Sequence, residues 1–216
     1  MRNCFVFIVV CFFLSVQVNA QDVSGFSPGL LEYWNAAAFE SGNSYVNQLG
    51  NHNNIVVIQQ QTGESVNVVN SYQFDSYNEA YIKQVGSEHV AYLSQKGEGN
   101  EVNIWQFGNY SFTTALQEGT ANNISSYIDN QDIVIKATYL VQKGNNNSIE
   151  LSLTGMGYSE PGLAEAANIQ QTGNNLQVTA NLDSYSSPII IRQQSGVSGA
   201  GMKVNVSNSD FYFPLK

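Results

Sequence analysis

Residues 73–117 read QFDSYNEAYIK QVGSEHVAYLS QKGEGNEVNIW QFGNYSFTTAL Q, and glutamine returns at every eleventh position: Gln73, Gln84, Gln95, Gln106 and Gln117. At the abundance of glutamine in this chain, four further matches at one fixed spacing arise by chance on the order of once in 10⁴, so the stretch is a repeat. A Gln-x-Gly frame carries the pattern outward in both directions. It occurs at Gln48-Gly50, Gln61-Gly63, Gln84-Gly86, Gln95-Gly97, Gln106-Gly108, Gln117-Gly119, Gln142-Gly144 and Gln171-Gly173, and more loosely at Gln194-Gly196. Counting in elevens with occasional slips places anchors near 48, 61, 73, 84, 95, 106, 117, 128, 142, 153, 171, 182 and 193, with Ile128, Leu153 and Leu182 standing in for glutamine. Residues 155–166 read as a loop inserted within the array.

Each unit has an internal rhythm. Five residues after the anchor come Asn53, Asn78, His89, Asn100, Ser111, Asn122 and Asn147, nearly all small and polar. Apolar or small residues follow at alternate positions, as in Ala80-x-Ile82-x-Gln84 and Val102-x-Ile104-x-Gln106, while Glu79, Tyr81, Lys83, Glu101, Asn103 and Trp105 fill the gaps. Period-2 alternation marks a strand with one buried face. The glycine two residues past each anchor marks the turn, where positive φ is cheapest for a residue without Cβ. The predicted turn glycines are Gly50, Gly63, Gly86, Gly97, Gly108, Gly119, Gly144 and Gly173.

One strand and one turn per eleven residues make a strand-turn-strand of 22, and such a unit alone has no adequate core. Stacking units buries one. The expected fold is all-β: a β-solenoid of about 22 residues per rung, with two facing parallel sheets and six to seven rungs. The column would stand roughly 30 Å tall at about 4.7–4.8 Å per rung. Gln48, Gln73, Gln84, Gln95, Gln106, Gln117 and Gln142, with Asn53, Asn78, Asn100, Asn122 and Asn147, are then expected to stack as amide ladders that hold the register. Buried amides are costly unless paired, and a ladder pairs them.

Composition narrows the function. Asn and Gln number 26 and 18, charged residues are only 12%, and the formal net charge is −9. That charge opposes binding to a phosphate backbone, so no nucleic-acid partner is expected. The two histidines, His52 and His89, are isolated and give no metal or acid–base cluster. Arg2, the apolar run Phe5–Leu14 and the small residues before Gln21 read as a secretory leader over residues 1–20, too short in its apolar part for a membrane span. Cys4 and Cys11 would leave with it. An exported chain without thiols has no disulfide, nucleophilic cysteine or cysteine metal ligand.

The units Gln73-x-Asp75-x-x-Asn78-x-Ala80-x-x-x-Gln84 and Gln84-x-Gly86-x-x-His89-x-Ala91-x-x-x-Gln95 resemble the curlin repeat, Gln-x-Gly-x-x-Asn-x-Ala-x-x-x-Gln. Gln48-Leu-Gly50-Asn-His-Asn53, running on to Gln59, fits the same template. The resemblance spans residues 44–207. It implies a secreted subunit of curli, the amyloid fibres of bacterial biofilm matrix, located extracellularly on the outer face of a Gram-negative cell. Its implied partners are further copies of itself, another curlin subunit or nucleator, and an outer-membrane secretion channel. Residues 21–43 would be the secretion-targeting segment and residues 208–216 an aromatic tail outside the repeat. Asp75 in place of glycine, Lys136 where a turn asparagine is expected, and the 155–166 insertion depart from the family pattern. A minor curlin that nucleates and anchors the fibre is the alternative role.

Two other classes compete. A carbohydrate-active β-helix needs longer rungs and a cleft lined by acid–base groups, whereas Glu64, Glu88, Glu98 and Glu118 fall beside turns or face outward. Such charges commonly serve to limit aggregation at sheet surfaces. A non-amyloid adhesin would need a repeated ligand-binding array on one outer face. Outward Tyr81, Tyr92, Trp105, Phe107 and Phe112 are consistent with lateral contacts or with ordinary strand formers. The sequence thus predicts a structural protein, with no catalytic residues, cofactor or metal.

Overall fold

The computed structural model describes residues 44–62, 65–130, 136–153, 167–181, 189–195 and 201–207. The expected leader, the 21–43 segment, the 155–166 insertion, Gly63, Leu182, Gly196 and the 208–216 tail lie outside these residues. The strands, in chain order, are β1 (Ser44–Leu49), β2 (Asn54–Gln61), β3 (Val68–Phe74), β4 (Glu79–Ser87), β5 (Val90–Glu98), β6 (Glu101–Asn109) and β7 (Ser111–Thr120), then β8 (Asn123–Asn130), β9 (Lys136–Lys143), β10 (Ser148–Leu153), β11 (Ala167–Thr172), β12 (Gln177–Thr179), β13 (Ile189–Gln194) and β14 (Lys203–Asn205). No helix occurs among the described residues.

Odd-numbered strands form one 7-stranded sheet and even-numbered strands a second, each stacked in strict order along the chain. Every pairing is parallel, as when β4 lies on β6 with Gln84 opposite Gln106, and β5 on β7 with Gln95 opposite Gln117. The chain is therefore a β-solenoid of seven rungs, each rung one strand from each sheet. Its height is about 29 Å at roughly 4.8 Å between neighbouring strands.

Alternation builds the core. Inward positions run small, large, amide along several strands, as in Ala80-Ile82-Gln84, Ala91-Leu93-Gln95 and Ala167-Ile169-Gln171. Ile82, Leu93, Ile104, Ile124, Leu140, Ile149 and Ile169 are fully buried between the sheets. Each such side chain contributes about 1.5–3 kcal/mol relative to exposure. A one-residue slip of any strand would turn that row to solvent and bring Glu79, Tyr81 and Lys83 inward, so the register is strongly specified.

Rung length departs from a uniform 22. Successive glutamines of the first sheet are separated by 25, 22, 22, 25, 29 and 22 residues. The additions fall between the even strands and the odd strands that follow them. The opposite corner is constant through six rungs: from Gln48, Gln73, Gln95, Gln117, Gln142 and Gln171 the next strand begins six residues on, and only from Gln193 does it begin ten residues on, at Lys203. Extra residues placed in a connection leave the strand ladder untouched, which is why the register survives them.

One anchor also moves. Gln59, not Gln61, lies opposite Gln84, and Gln61 falls opposite Gly86. The Gln61-Gly63 frame matched the repeat by composition in a glutamine run, and the alternation Ile55-x-Val57-x-Gln59 decides the true inward position.

Candidate assembly interface of stacked amides

Seven glutamines share one column through the first sheet. The Nε2 of each donates to the Oε1 of the next: Gln48 to Gln73 at 2.8 Å, Gln73 to Gln95 at 2.7 Å and Gln95 to Gln117 at 3.0 Å. The run goes on from Gln117 to Gln142 at 2.9 Å, Gln142 to Gln171 at 2.9 Å and Gln171 to Gln193 at 2.7 Å. The same nitrogens reach across the core to backbone carbonyls of the second sheet, as Gln95 does to Glu79 O at 3.0 Å and Asn100 O at 2.9 Å. Only an N–H can donate to a carbonyl, so these crossing bonds fix the sense of the six amides from Gln73 to Gln193. Each buried amide is thus satisfied along the column and between the sheets.

The second sheet carries a shorter column. Gln59 donates to Gln84 and Gln84 to Gln106, both at 2.8 Å. Ile128 and Leu153 then occupy the same inward row and continue it as hydrocarbon.

Asparagines stack at the constant corner. The backbone N–H of Asn78 donates to Asn53 Oδ1 at 3.0 Å, that of Asn100 to Asn78 Oδ1 at 3.2 Å, and that of Asn122 to Asn100 Oδ1 at 3.1 Å. Asn147 donates likewise to Asn122 Oδ1 at 3.1 Å, and Leu176 N–H closes the series on Asn147 Oδ1 at 3.0 Å. Each Nδ2 spans to the turn of the next rung, from Asn78 to Gly97 O at 2.7 Å, from Asn100 to Gly119 O at 2.9 Å and from Asn122 to Gly144 O at 2.7 Å. These side chains therefore satisfy turn backbone that no strand partner reaches.

The turn column consists of Gly50, Gly97, Gly119, Gly144 and Gly173, all with positive φ, and Asp75 replaces glycine in it at φ 72°. Gly119 shows why glycine is needed: a Cβ there would lie 2.0 Å from Gly144 O. Gly86 and Gly108 occupy the far ends of β4 and β6.

The second corner has its own column, in which sequence spacing found His89, Ser111 and Lys136 but missed Asn67. Asn67 Oδ1 accepts from the backbone N–H of His89 at 3.0 Å, and Asn67 Nδ2 donates to Gly86 O at 2.9 Å. Asn67 stands 22 residues before His89, the signal that would have found it. Ser111 and then Lys136 continue that corner, directly paired in register and both buried. His89 is fully buried, with Nε2 against Val85 O at 3.2 Å and Nδ1 unpartnered among the described residues. Burial lowers its pKa, opposed by the backbone hydrogen bonds to Val85 and Gly108.

The outer faces differ. On the first sheet Tyr45, Tyr72 and Tyr92 are in contact, with ring centroids 5.6 and 5.9 Å apart. Burial raises the pKa of Tyr92, and the neighbouring Tyr72 and Tyr139 raise it further. On the second sheet Tyr81, Trp105, Tyr127 and Phe107 form a continuous patch with centroid separations of 5.7–6.2 Å, and Lys83 Nζ lies 5.5 Å from the Phe107 ring.

Among the described residues no group of His, Cys, Asp and Glu is placed to hold a metal ion, and Glu88, Glu98 and Glu118 stand apart at strand ends and turns. What the arrangement offers, among the described residues, is two ends at which no further strand is stacked. At the first rung Gln48 Oε1 accepts no hydrogen bond from a described residue, and at the last Gln193 has no further described amide above it, its Nε2 donating to Gln177 O and Met202 O. Residues 77–108 match the family model of the curlin associated repeat. No curated protein and no solved structure matches the chain. Proteins of this repeat family are structural rather than enzymatic.

Proposed function

We propose, from the premise that this is a curlin-repeat protein, that it is a secreted subunit of a curli-type amyloid fibre and that it polymerises end to end. The observation that carries the reading is the glutamine column of the first sheet, which runs through all seven rungs with one donor–acceptor sense. Its first rung offers an amide oxygen and its last an amide N–H, so the end of one copy complements the beginning of the next. The terminal strands β1 and β2, β13 and β14 add backbone edges on which no further described strand pairs, and an identical edge is the best-matched partner for each. In this reading residues 1–20 direct export, residues 21–43 address an outer-membrane channel, and the fibre serves in extracellular matrix and adhesion.

A second role is supported by one observation. The amide column of the second sheet stops at Gln106, and β12 and β14 are only three residues long. The two ends are therefore unequal, as suits a minor subunit that starts a fibre at the cell surface. Purified residues 21–216 test both. Thioflavin-positive fibres with a cross-β pattern at about 4.7–4.8 Å and about 10 Å are expected. Protein that stays monomeric for days at tens of micromolar would sink the fibre reading. Seeds of this chain that accelerate a co-expressed curlin more than the chain itself would favour the nucleating role.

A further inference from the structure

We infer that two copies of this chain pair through the outer faces of their second sheets, about a two-fold axis that runs along the strands midway between β6 and β8. The pairing goes beyond end-to-end growth and does not depend on it, because it uses the side of the column and not its ends.

This face carries a hydrophobic patch. Val56 and Ile58 on β2, Trp105 on β6 and Tyr127 on β8 are 39, 42, 42 and 39% exposed. Tyr81 and Phe107 join Trp105 and Tyr127 through ring contacts of 5.7–6.2 Å. Single apolar side chains on a surface are ordinary, whereas a contiguous patch marks an interaction surface. Charges frame it. Glu79 and Glu101 stand side by side at the start of β4 and β6, Asp129 lies near the end of β8 and Glu150 on β10. Lys83 on β4 and Lys203 on β14 are the outward cations of this face among the described residues.

Those charges select a second copy and its placement. A two-fold axis along the strands keeps each residue's position along its strand and reverses the order of the strands. Laid on β4 it sets Glu79 on Glu79 of the other copy, and laid on β6 it sets Glu101 on Glu101. Midway between those two strands Glu79 meets Glu101, and on β8 Asp129 meets Asp129. Midway between β6 and β8 no charge meets its like. Trp105 then faces Tyr127, Glu101 faces the Asn123 amide, Glu79 faces Ser148 and the Tyr81 hydroxyl faces Glu150, each of them twice. Asp129 arrives over Phe107 of the other copy, where Lys83 Nζ already lies 5.5 Å from the ring centroid and supplies the opposite charge. Further along the column Trp105 and Tyr127 face no aromatic ring. A two-fold parallel to the column fits less well: centred on the strands it lays Glu79 and Glu101 on Val85 and Phe107, and moved to either side it sets Glu150 or Lys83 on itself. The favoured pairing has its aromatic rings at the centre and its carboxylates toward the rim, as specific interfaces do. Six overlapping rungs by a seven-residue strand cover roughly 600 Å² per copy, at the lower edge of what a specific interface buries.

Glu79 and Ser148 provide the test, because they face each other across the contact yet lie three strands apart within one copy, about 14 Å. Sedimentation velocity on freshly prepared residues 21–216 is expected to show a concentration-dependent dimer. Ser148→Lys should tighten it about fivefold and Ser148→Glu loosen it by as much, since the two-fold applies each exposed pair twice. Adding Glu79→Lys to Ser148→Glu should return the affinity at least to that of the parent, and Trp105→Ser should abolish the dimer. Where fibres form before equilibrium is reached, paired against single filaments in electron micrographs read the same variants in the same directions. A parent that is monomeric at all concentrations, or a dimer indifferent to the sign of the charge at position 148, overturns the pairing. Thioflavin-positive fibres without paired copies would sink this contact and leave the fibre reading standing, whereas a charge-responsive dimer without fibres would do the reverse.

Discussion

Gln106 donates across the core to Thr113 Oγ1 at 3.2 Å, whereas Gln59 and Gln84 below it in the second sheet donate to the amide of the next rung. The residue above Gln106 is Ile128, which offers no acceptor. Thr113 also accepts from Thr138 Oγ1 at 3.2 Å, so one hydroxyl closes the column and holds a second hydroxyl beside it. Thr113→Val is therefore expected to cost about 1–2 kcal/mol, since Thr138 is left buried without its acceptor. Adding Thr138→Val should recover most of that loss, because removing both polar partners at constant shape is nearly neutral. Urea unfolding of freshly prepared monomer decides it, and equal losses in single and double variants would contradict the pairing.

Position within a column should matter more than residue type. Gln95→Leu takes the donor from Gln117 Oε1 and both crossing bonds from the second sheet. Gln106→Leu, at the column terminus, takes the acceptor from Gln84 and the crossing bonds to Val90 O, Ser111 O and Thr113 Oγ1, but it orphans no amide above it because Ile128 follows. The first is expected to destabilise by about 2–3 kcal/mol and the second by less, following the penalty for orphaned buried polar groups. Fibre growth should slow in the same order, as followed by thioflavin kinetics.

The constant corner holds a column of left-handed residues, His52, Tyr77, Gly99, Ala121, Asn146 and Asn175. Ala121 has φ 54° in a column shared with Gly99, Asn146 and Asn175. A left-handed alanine costs roughly 1–2 kcal/mol over glycine, partly offset by the entropy that glycine loses on folding. Ala121→Gly should stabilise by up to about 1 kcal/mol on that balance. Gly119→Ala, two residues away, should destabilise far more, because its Cβ meets Gly144 O. Denaturation midpoints that shift the same way in both variants would refute this account.

Stability should fall below neutral pH through His89. Its folded pKa lies under the ordinary 6.5 because burial penalises the charged ring. The unfolded chain then binds the proton first, so the contribution is full above about 6.5 and is lost as pH drops toward the folded value. His89→Asn keeps a corner residue of the kind found at Asn67 and removes the titration. The parent should lose stability between pH 7.5 and 5.5 relative to this variant, as measured by urea midpoints; parallel pH profiles would argue against it.

The fold was legible because alternation and spacing state the same thing: Ala80-x-Ile82-x-Gln84 gives the strand, and its recurrence 22 residues on gives the stack. Two-sheet parallel architecture follows from those facts alone. The glutamines of the block 73–117 share columns for the same reason. Spacing failed where composition imitates it. Gln59, Gln60 and Gln61 are consecutive, and only the apolar parity of Ile55 and Val57 separates the inward one from its neighbours. Asn67 escaped because the connection after β2 is longer than those after β4 and β6 and sets it eight residues past Gln59, where His89 and Ser111 stand five past Gln84 and Gln106. A uniform 22-residue rung overlooked that parallel strands sense register and not the length of the chain between them.

The contrast between the two corners gives the column a smooth flank and a permissive one. A six-residue spacing defines the first through six rungs, five of them with an asparagine, so an added residue there would break the asparagine stack; only the last rung, Gln193 to Lys203, is longer. The second tolerates up to seven extra residues between neighbours with no change in partner. Foreign peptide spliced into that flank, between β8 and β9 or between β10 and β11, would be carried at regular intervals along a single side of any assembly, like labels on the spine of a stack of books.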